Sequence, residues 1–191
     1  MGTRRPEFEP PRLRRAASAD LTLAETEGIR ALMVAAFGPD EDERFTDADW
    51  EHALGGTHFI LELDGDIVTH ASVVERELHV GDRPLKTGYV EAVATAPGRE
   101  GSGFGSLVMA DVGVYIRDRF ELGALGTGRQ SFYGRLGWRT WAGPSSVRAT
   151  DGKRPPTPED DGYIMVLETP SSPTLDLSRP ISCDWRPGDV W

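Results

Sequence analysis

The spacing of apolar and polar positions predicts a series of strands and helices along the sequence. A capping box at Thr22-x-x-Glu25 opens the first helix, and Gly38-Pro39 ends it. Its apolar face is formed by residues at spacings of three and four, namely Ile29, Leu32, Met33, Ala36 and Phe37. Further helices are expected near 47–52, from about 104 to 118, and over 129–136.

Runs of apolar and β-branched residues predict the strands. The expected strands are 12–17, 58–63, 67–78, 89–95, 122–125, 138–141 and 163–167. Asp64-Gly65 and Gly81-Asp82 have the composition of turns. Residues 1–11 are rich in proline and charge and are expected to form a flexible arm, which leaves 12–191 as one mixed α/β domain.

The most informative segment is a glycine-rich loop between the predicted strand 89–95 and the helix that begins at about Phe104. Gly101, Gly103 and Gly105 lie where a row of backbone N–H groups can receive a phosphate at a helix N-terminus. No lysine follows the glycines, so a P-loop is excluded, and the G-x-G-x-G spacing differs from the dinucleotide fingerprint. Glycines also form ordinary turns, so the loop alone leaves both interpretations open.

The net charge of the protein limits the classes of molecule that it is expected to bind. The formal net charge is −10, which disfavours nucleic acid and favours a cationic small molecule, although acidity also serves solubility. Acidic residues cluster in two segments, 40–51 and Glu159-Asp160-Asp161. Such clusters can hold a polycation where they line one cleft, and otherwise they are solvated loops.

Several classes of protein are not expected. No apolar run reaches about 18 residues, so no membrane span is predicted. The N-terminal segment lacks the apolar region of a secretory signal, and the single cysteine, Cys183, suits a reducing compartment, so a cytoplasmic location is expected. The four histidines show no metal-ligand spacing, and no metal site is predicted.

A second motif, Ser131-Phe132-Tyr133-Gly134-Arg135-Leu136-Gly137-Trp138, follows the glycine loop by about thirty residues. The two motifs together resemble the GNAT superfamily of acyl-CoA-dependent N-acetyltransferases. The resemblance implies a mostly antiparallel central sheet, flanked by helices, in which the strand carrying Glu91 splays from the strand 122–125. It also implies acetyl-CoA as cofactor, held at Val93, Ala94, Glu100, Gly101, Ser102, Gly103, Phe104 and Gly105. Glu100 stands where the family has arginine or glutamine, and Arg99 lies one residue early.

The resemblance places two candidate catalytic residues, Glu91 and Tyr133, beside the thioester. Period-two alternation puts Glu91 on one face with Tyr89 and Val93. Glu91 is interpreted as a general base, acting directly or through water, or as an anchor for a substrate ammonium; it could also be a half-exposed strand residue. Tyr133 is interpreted as the acid that protonates the coenzyme A thiolate, with a packed core aromatic as the alternative.

Longer segments narrow the resemblance to the aminoglycoside 2′-N-acetyltransferases of mycobacteria and related bacteria. These segments are 49–58, 88–93, 122–125 and the final nonapeptide, Cys183-Asp184-Trp185-Arg186-Pro187-Gly188-Asp189-Val190-Trp191. The resemblance implies a cationic aminoglycoside substrate and allows for a homodimer. The substrate-binding positions it implies are Asp49, Glu91, Ala92, Gly126, Thr127, Asp160, Asp189 and Trp191. The family has serines where this chain has Gly126-Thr127-Gly128.

Two other functions fit the same sequence. The chain could be a GNAT enzyme that acetylates another small polyamine or amino sugar, or an acyl-CoA-binding sensor without turnover. Retention of both Glu91 and Tyr133 argues against the sensor.

Overall fold

The computed structural model describes residues 10–38 and 44–191. The strands are β1 Arg12–Ala17, β2 Thr57–Leu63, β3 Asp66–Val80, β4 Arg83–Thr95, β5 Leu122–Gly126, β6 Arg139–Thr140, β7 Ser145–Arg148, β8 Ile164–Glu168 and β9 Ile181–Asp184. The helices are α1 Leu23–Phe37, α2 Asp47–Ala53, α3 Phe104–Arg119 and α4 Gln130–Gly134.

The described strands form one mostly antiparallel sheet with the path β1-β2-β3-β4-β5-β8-β6, and β9 pairs with the end of β3 and with β7. The pair β4–β5 is parallel and is hydrogen-bonded only from Thr87 to Tyr89 on β4. Beyond Tyr89, β4 continues to Thr95 without β5 beside it. The expected mixed sheet, splayed between these two strands, is therefore confirmed.

A β-bulge in β4 changes which side chains share a face. His70 pairs with Ala94 and Ser72 pairs with Glu91, so one residue of β3 lies opposite two residues of β4. Ala92 has a positive φ of 49° at this point. Such a bulge shifts the alternation of side chains by one position. Val93 consequently packs against the same cluster as Val90, and the prediction that Val93 lies on the face of Glu91 and Tyr89 is wrong.

Three apolar clusters cover the two faces of the sheet. One joins α3 and α4 to β2, β3 and β4, and contains Tyr133. The second joins α1 and α2 to the sheet through Ile29, Met33 and Trp50. The third joins β4, β5, β8 and β9 to the C-terminal Trp191. β4 therefore leaves β5 beyond Tyr89, and the C-terminal tail, residues 185–191, meets the sheet through the buried Trp191.

Most local predictions are confirmed, with limited corrections. The capping box at Thr22 is present and α1 ends before Gly38, but Ala36 and Phe37, of which Phe37 is 40% exposed, are not part of the buried face. The strands β7 and β9 were not predicted, because both are short and lie among prolines and serines. The acidic residues 40–43 and the arm up to residue 9 lie outside the described residues. Within the described ranges, no helix is long and apolar enough to cross a bilayer.

Candidate active site

The glycine loop presents an open helix N-terminus. Gly101 and Gly103 have positive φ values of 74° and 85°, and Gly103 is the N-cap of α3. No side chain caps this end and no acidic residue lies in its first turn, so the first backbone N–H groups are free to bind an anion. The Glu100 carboxylate accepts a hydrogen bond from the Gly98 N–H at 2.6 Å. Its charge is thus partly engaged inside the loop, where it stabilises the turn.

Gly105, in the first turn of α3, lies beside the end of β4 and the aromatic ring of α4. A Cβ at this position would stand 3.4 Å from Thr95 Oγ1 and 3.5 Å from Phe132 Cζ, which is ordinary van der Waals contact. The start of α3, the end of β4 and α4 are therefore close neighbours.

Tyr133 lies on α4, within the apolar cluster that joins α3 and α4 to the sheet. It is buried, and its ring meets the rings of Phe132 and Trp138 edge-on at centroid distances of 4.9 and 6.2 Å. Burial raises the pKa of the Tyr133 hydroxyl to about 12, with Arg129 acting in the opposite direction. The phenol is therefore protonated at neutral pH, which is the state that a general acid requires.

Glu91 is paired with the C-terminal tail. Its Oε1 accepts a hydrogen bond from Arg186 Nη1 at 2.6 Å, and only 14% of the Glu91 side chain is exposed. Burial raises the pKa of Glu91, while the guanidinium of Arg186 lowers it. Arg186 also donates from Nε to the Asp189 carbonyl at 2.7 Å. One guanidinium therefore folds the tail and orients the carboxylate of Glu91.

Trp191 is buried against the sheet. The residue is 6% exposed, and its Nε1–H donates to Thr157 Oγ1 at 3.0 Å. The terminal carboxyl carbon lies 3.5 Å from the point where a Gly126 side chain would begin, and Tyr89 Oη lies 3.6 Å from the same point. The Trp191 carboxyl group and the Tyr89 hydroxyl therefore both lie beside Gly126.

Three further acidic residues, Asp160, Asp189 and Asp161, have different surroundings. The pKa of Asp160 is raised, first by burial and then by the charge of Asp189, and Asp189 also raises the pKa of Glu91. These carboxylates are therefore electrostatic neighbours. Asp161, by contrast, accepts hydrogen bonds from the Ser145 N–H and Oγ at 2.8 Å, which is a structural role.

Asp49 combines a structural role with its place near the tail. Its Oδ2 accepts from the N–H and the hydroxyl of Thr46 at 2.7 Å, and this capping box opens α2. One turn later, His52 donates from Nε2 to the Pro187 carbonyl at 2.8 Å, so α2 supports the tail. Asp49 has one carboxylate oxygen committed to the cap.

The remaining predicted substrate positions border the gap between β4 and β5. Thr127 Oγ1 accepts a hydrogen bond from the Arg129 N–H at 2.9 Å, and its own hydroxyl proton stays free to donate. Ala92 is the bulge residue next to Glu91. Gly126 is exposed at the end of β5.

Sequence reasoning missed three residues that shape this site: Arg186, Thr157 and Tyr89. Tyr89 is buried between the guanidinium groups of Arg76 and Arg186, at 4.6 and 5.6 Å from its ring centre. Its hydroxyl has no hydrogen-bond partner among the described residues. The Tyr-x-Glu spacing on one strand and the arginine in the terminal nonapeptide were the available signals.

The open N-terminus of α3 leads to a prediction about Gly103. We expect Gly103→Val to weaken acetyl-CoA binding at least about tenfold, a loss of roughly 1.4 kcal/mol, because a β-branched residue resists the positive φ that aims the N–H groups. Isothermal titration with acetyl-CoA measures this. Gly152→Val is the matched control, since Gly152 has a similar φ of 83° in a separate turn. Equal affinities of both variants and the unaltered protein would remove the loop from the cofactor site.

Comparison with known proteins is consistent with this geometry. The Acetyltransferase (GNAT) domain family matches residues 19–141. An aminoglycoside 2′-N-acetyltransferase of Mycolicibacterium fortuitum is 42% identical over 179 residues, which cover 91% of this chain and 89% of that protein.

Solved structures support the fold. The GNAT family N-acetyltransferase YhbS of Escherichia coli, in complex with CoA, has a TM-score of 0.65 at 13% identity, over 95% of this chain and 93% of that one. A Brucella melitensis GNAT acetyltransferase in complex with acetyl-CoA has a TM-score of 0.58 at 18% identity, over 87% and 94%. The chain spans only 34% of a matching GCN5-related N-acetyltransferase of Kribbella flavida, at a TM-score of 0.56 and 22% identity over 70% of this chain.

Proposed function

The chain belongs to the GNAT family of N-acetyltransferases, and from this premise we propose that it transfers the acetyl group of acetyl-CoA to the 2′-amino group of aminoglycosides. The observation that carries the substrate assignment is the C-terminal tail. It brings Asp189 and the Trp191 carboxylate to Glu91, Asp160 and Gly126. A polyamine is the class of ligand that such a group of carboxylates holds best.

The residues near the point where β4 separates from β5 fit acetyl-CoA. The free N–H groups of α3 and the positive φ of Gly101 and Gly103 suit its pyrophosphate. The edge of β4 beyond Tyr89 lacks a strand partner on the β5 side, so its backbone is available to the pantetheine arm at Val93 and Ala94. Bound there, acetyl-CoA supplies an activated thioester.

The two catalytic residues act at opposite ends of the reaction. The substrate ammonium must lose a proton before its nitrogen attacks, and Glu91 receives that proton directly or through water. The second proton, which the nitrogen loses after the attack, balances the one that the thiolate receives. Arg186 occupies Oε1 of Glu91 and leaves Oε2 for this purpose. Tyr133 remains protonated at neutral pH and donates its proton to the departing thiolate.

Several carboxylates together bind the substrate. Asp160, Asp189 and the Trp191 carboxylate hold ammonium groups of the substrate through charge-assisted hydrogen bonds. Asp49 contributes through the oxygen that the capping box leaves free, and Thr127 donates its hydroxyl to a sugar oxygen. Ala92 and Gly126 line the same opening. The proposal includes a cytoplasmic location and a homodimer.

A panel of aminoglycosides tests the regiochemistry. Tobramycin and gentamicin, which carry a 2′-amine, should be acetylated, whereas amikacin and kanamycin A, which carry a 2′-hydroxyl, should not be acetylated at that position. Release of free thiol measures turnover, and NMR of the product locates the acetyl group. Salt should raise KM, because the attraction is partly screened. Equal turnover of both groups of drugs, with acetylation elsewhere, would overturn the assignment; no thiol release with any amine would indicate a sensor.

A further inference from the structure

A chain of buried hydrogen bonds runs under the active-site strand and has no part in the reaction as described so far. His70 on β3 contacts the Ala92 carbonyl on β4 at 2.8 Å through Nδ1. His58 on β2 contacts His70, Nδ1 to Nε2, at 2.9 Å. Ser18, the first residue after β1, contacts His58 Nε2 at 2.9 Å. These hydrogen bonds thus run from the end of β1 across β2 and β3 to the bulge in β4.

The Ala92 carbonyl, at one end of this series of hydrogen bonds, determines where the protons lie. A carbonyl only accepts, so His70 must carry its proton on Nδ1. Both histidines are buried, and burial lowers the pKa of His58 to about 4 and that of His70 to about 3, so both rings are neutral at pH 7. His70 Nε2 therefore accepts from His58, and His58 Nε2 accepts from the Ser18 hydroxyl. Each donor points toward Ala92.

The carbonyl at the end of this chain belongs to a strained residue. Ala92 has a φ of 49°, a left-handed conformation that is unfavourable for a non-glycine residue. The same residue forms the bulge that separates the faces of Glu91 and Val93. Without the bulge, regular alternation would carry the residues beyond Glu91 to the opposite faces of the sheet. The contact from His70 thus lies at the residue on which the geometry of the site depends.

We propose that His70, oriented by His58 and Ser18, is a positioning residue for acetyl transfer, because its Nδ1–H holds the Ala92 carbonyl and so maintains the bulge that aims Glu91 and the thioester-binding edge of β4. The inference rests on the proposed function, since it assigns the histidine chain to the same site. His70 touches neither substrate nor cofactor. It acts through the backbone of β4.

Two conservative variants separate the two hydrogen bonds of His70. In His70→Asn the amide nitrogen takes the place of Nδ1, which keeps the donor to Ala92 and loses the link to His58. In His70→Gln the amide reaches the position of Nε2, which keeps the link to His58 and loses the donor to Ala92. Val73→Ala, a cavity in the same strand, is the control for stability alone. Each variant is assayed below its own melting temperature, with saturating acetyl-CoA and tobramycin.

The proposal expects kcat of His70→Gln to fall at least about tenfold, and kcat of His70→Asn and Val73→Ala to stay within threefold of the unaltered enzyme. Adding Ala92→Gly to His70→Gln should recover most of kcat, because glycine adopts a positive φ without support. Amide hydrogen exchange at Ala92–Ala94 should rise in His70→Gln and fall again in the double variant.

The exchange measurement needs no substrate, so it tests the support of the bulge even if aminoglycosides are not acetylated. If the unaltered chain is inactive, the proposed function fails while the exchange result still decides the role of His70. Unchanged kcat and exchange in His70→Gln would overturn the inference. The inference would also be overturned if His70→Asn and His70→Gln lose activity equally and in proportion to their melting temperatures. That result would show that His70 has only a structural role.

Discussion

Replacing Tyr133 with phenylalanine is expected to lower kcat by roughly 10- to 1000-fold, the usual size of a general-acid effect, while acetyl-CoA affinity is retained. The substitution removes one hydroxyl and almost no volume. The ring keeps its edge-on contacts with Phe132 and Trp138, so the core of the α4 region should stay intact. Steady-state thiol release gives kcat, and isothermal titration gives the affinity for acetyl-CoA.

Tyr115→Phe is the matched control for this experiment. Tyr115 lies on α3 against the same apolar cluster, and its hydroxyl contacts Thr57 Oγ1 at 2.8 Å, away from the gap between β4 and β5. This variant should lose stability and keep kcat. If Tyr133→Phe instead behaves like Tyr115→Phe, with a lower melting temperature and an unchanged kcat, then Tyr133 is a core residue and another group protonates the thiolate.

Removal of Trp191 should raise KM for the aminoglycoside at least about tenfold, a loss of roughly 1.4 kcal/mol. Deletion moves the terminal carboxylate away from Gly126 and leaves the buried space of the indole empty. A deletion of this kind also lowers the melting temperature, because a large buried ring is lost. The affinity for acetyl-CoA should stay near normal, since the tail meets the sheet apart from the glycine loop.

A C-terminal tag separates the charge from the packing. It retains the indole of Trp191 and converts the carboxylate to an amide, so KM should rise with a smaller loss of stability than the deletion causes. Thr157→Val is the complementary control: it removes the acceptor of the indole N–H and leaves the carboxylate in place. Kinetics of the C-terminally tagged enzyme that match those of an N-terminally tagged enzyme would exclude the terminal carboxylate from the substrate site.

The tail shows how far the sequence could predict the site. The terminal nonapeptide predicted Asp189 and Trp191 as substrate-binding residues, and that assignment stays a prediction. The contacts of the tail were not predictable, because Trp191 bonds to Thr157 and Arg186 bonds to Glu91 across 34 and 95 residues of chain. Pairing at such separations depends on the register of the whole sheet. It also converts Glu91 from a free carboxylate into one with a single available oxygen.

Features with a local cause could be predicted from the sequence alone. The capping box of α1, the Asp64-Gly65 turn, the glycine loop and the start of α3 each depend on backbone dihedral angles and hydrogen bonds within a few residues. The order of strands and helices followed from the same local signals. The two strands that escaped prediction, β7 and β9, are held by each other and by β3 rather than by their own composition.

Only the tertiary structure determined which side chains of β4 share a face and which contacts the acidic residues make. One extra residue at Ala92 reversed the alternation that had placed Val93 beside Glu91, and nothing in the local sequence marks that bulge. Asp160 and Asp161 are adjacent in sequence, yet one lies near Asp189 and the other binds Ser145. The direction of a side chain and its ion-pair partner depend on the positions of segments that are distant in sequence. A local sequence pattern does not specify those positions.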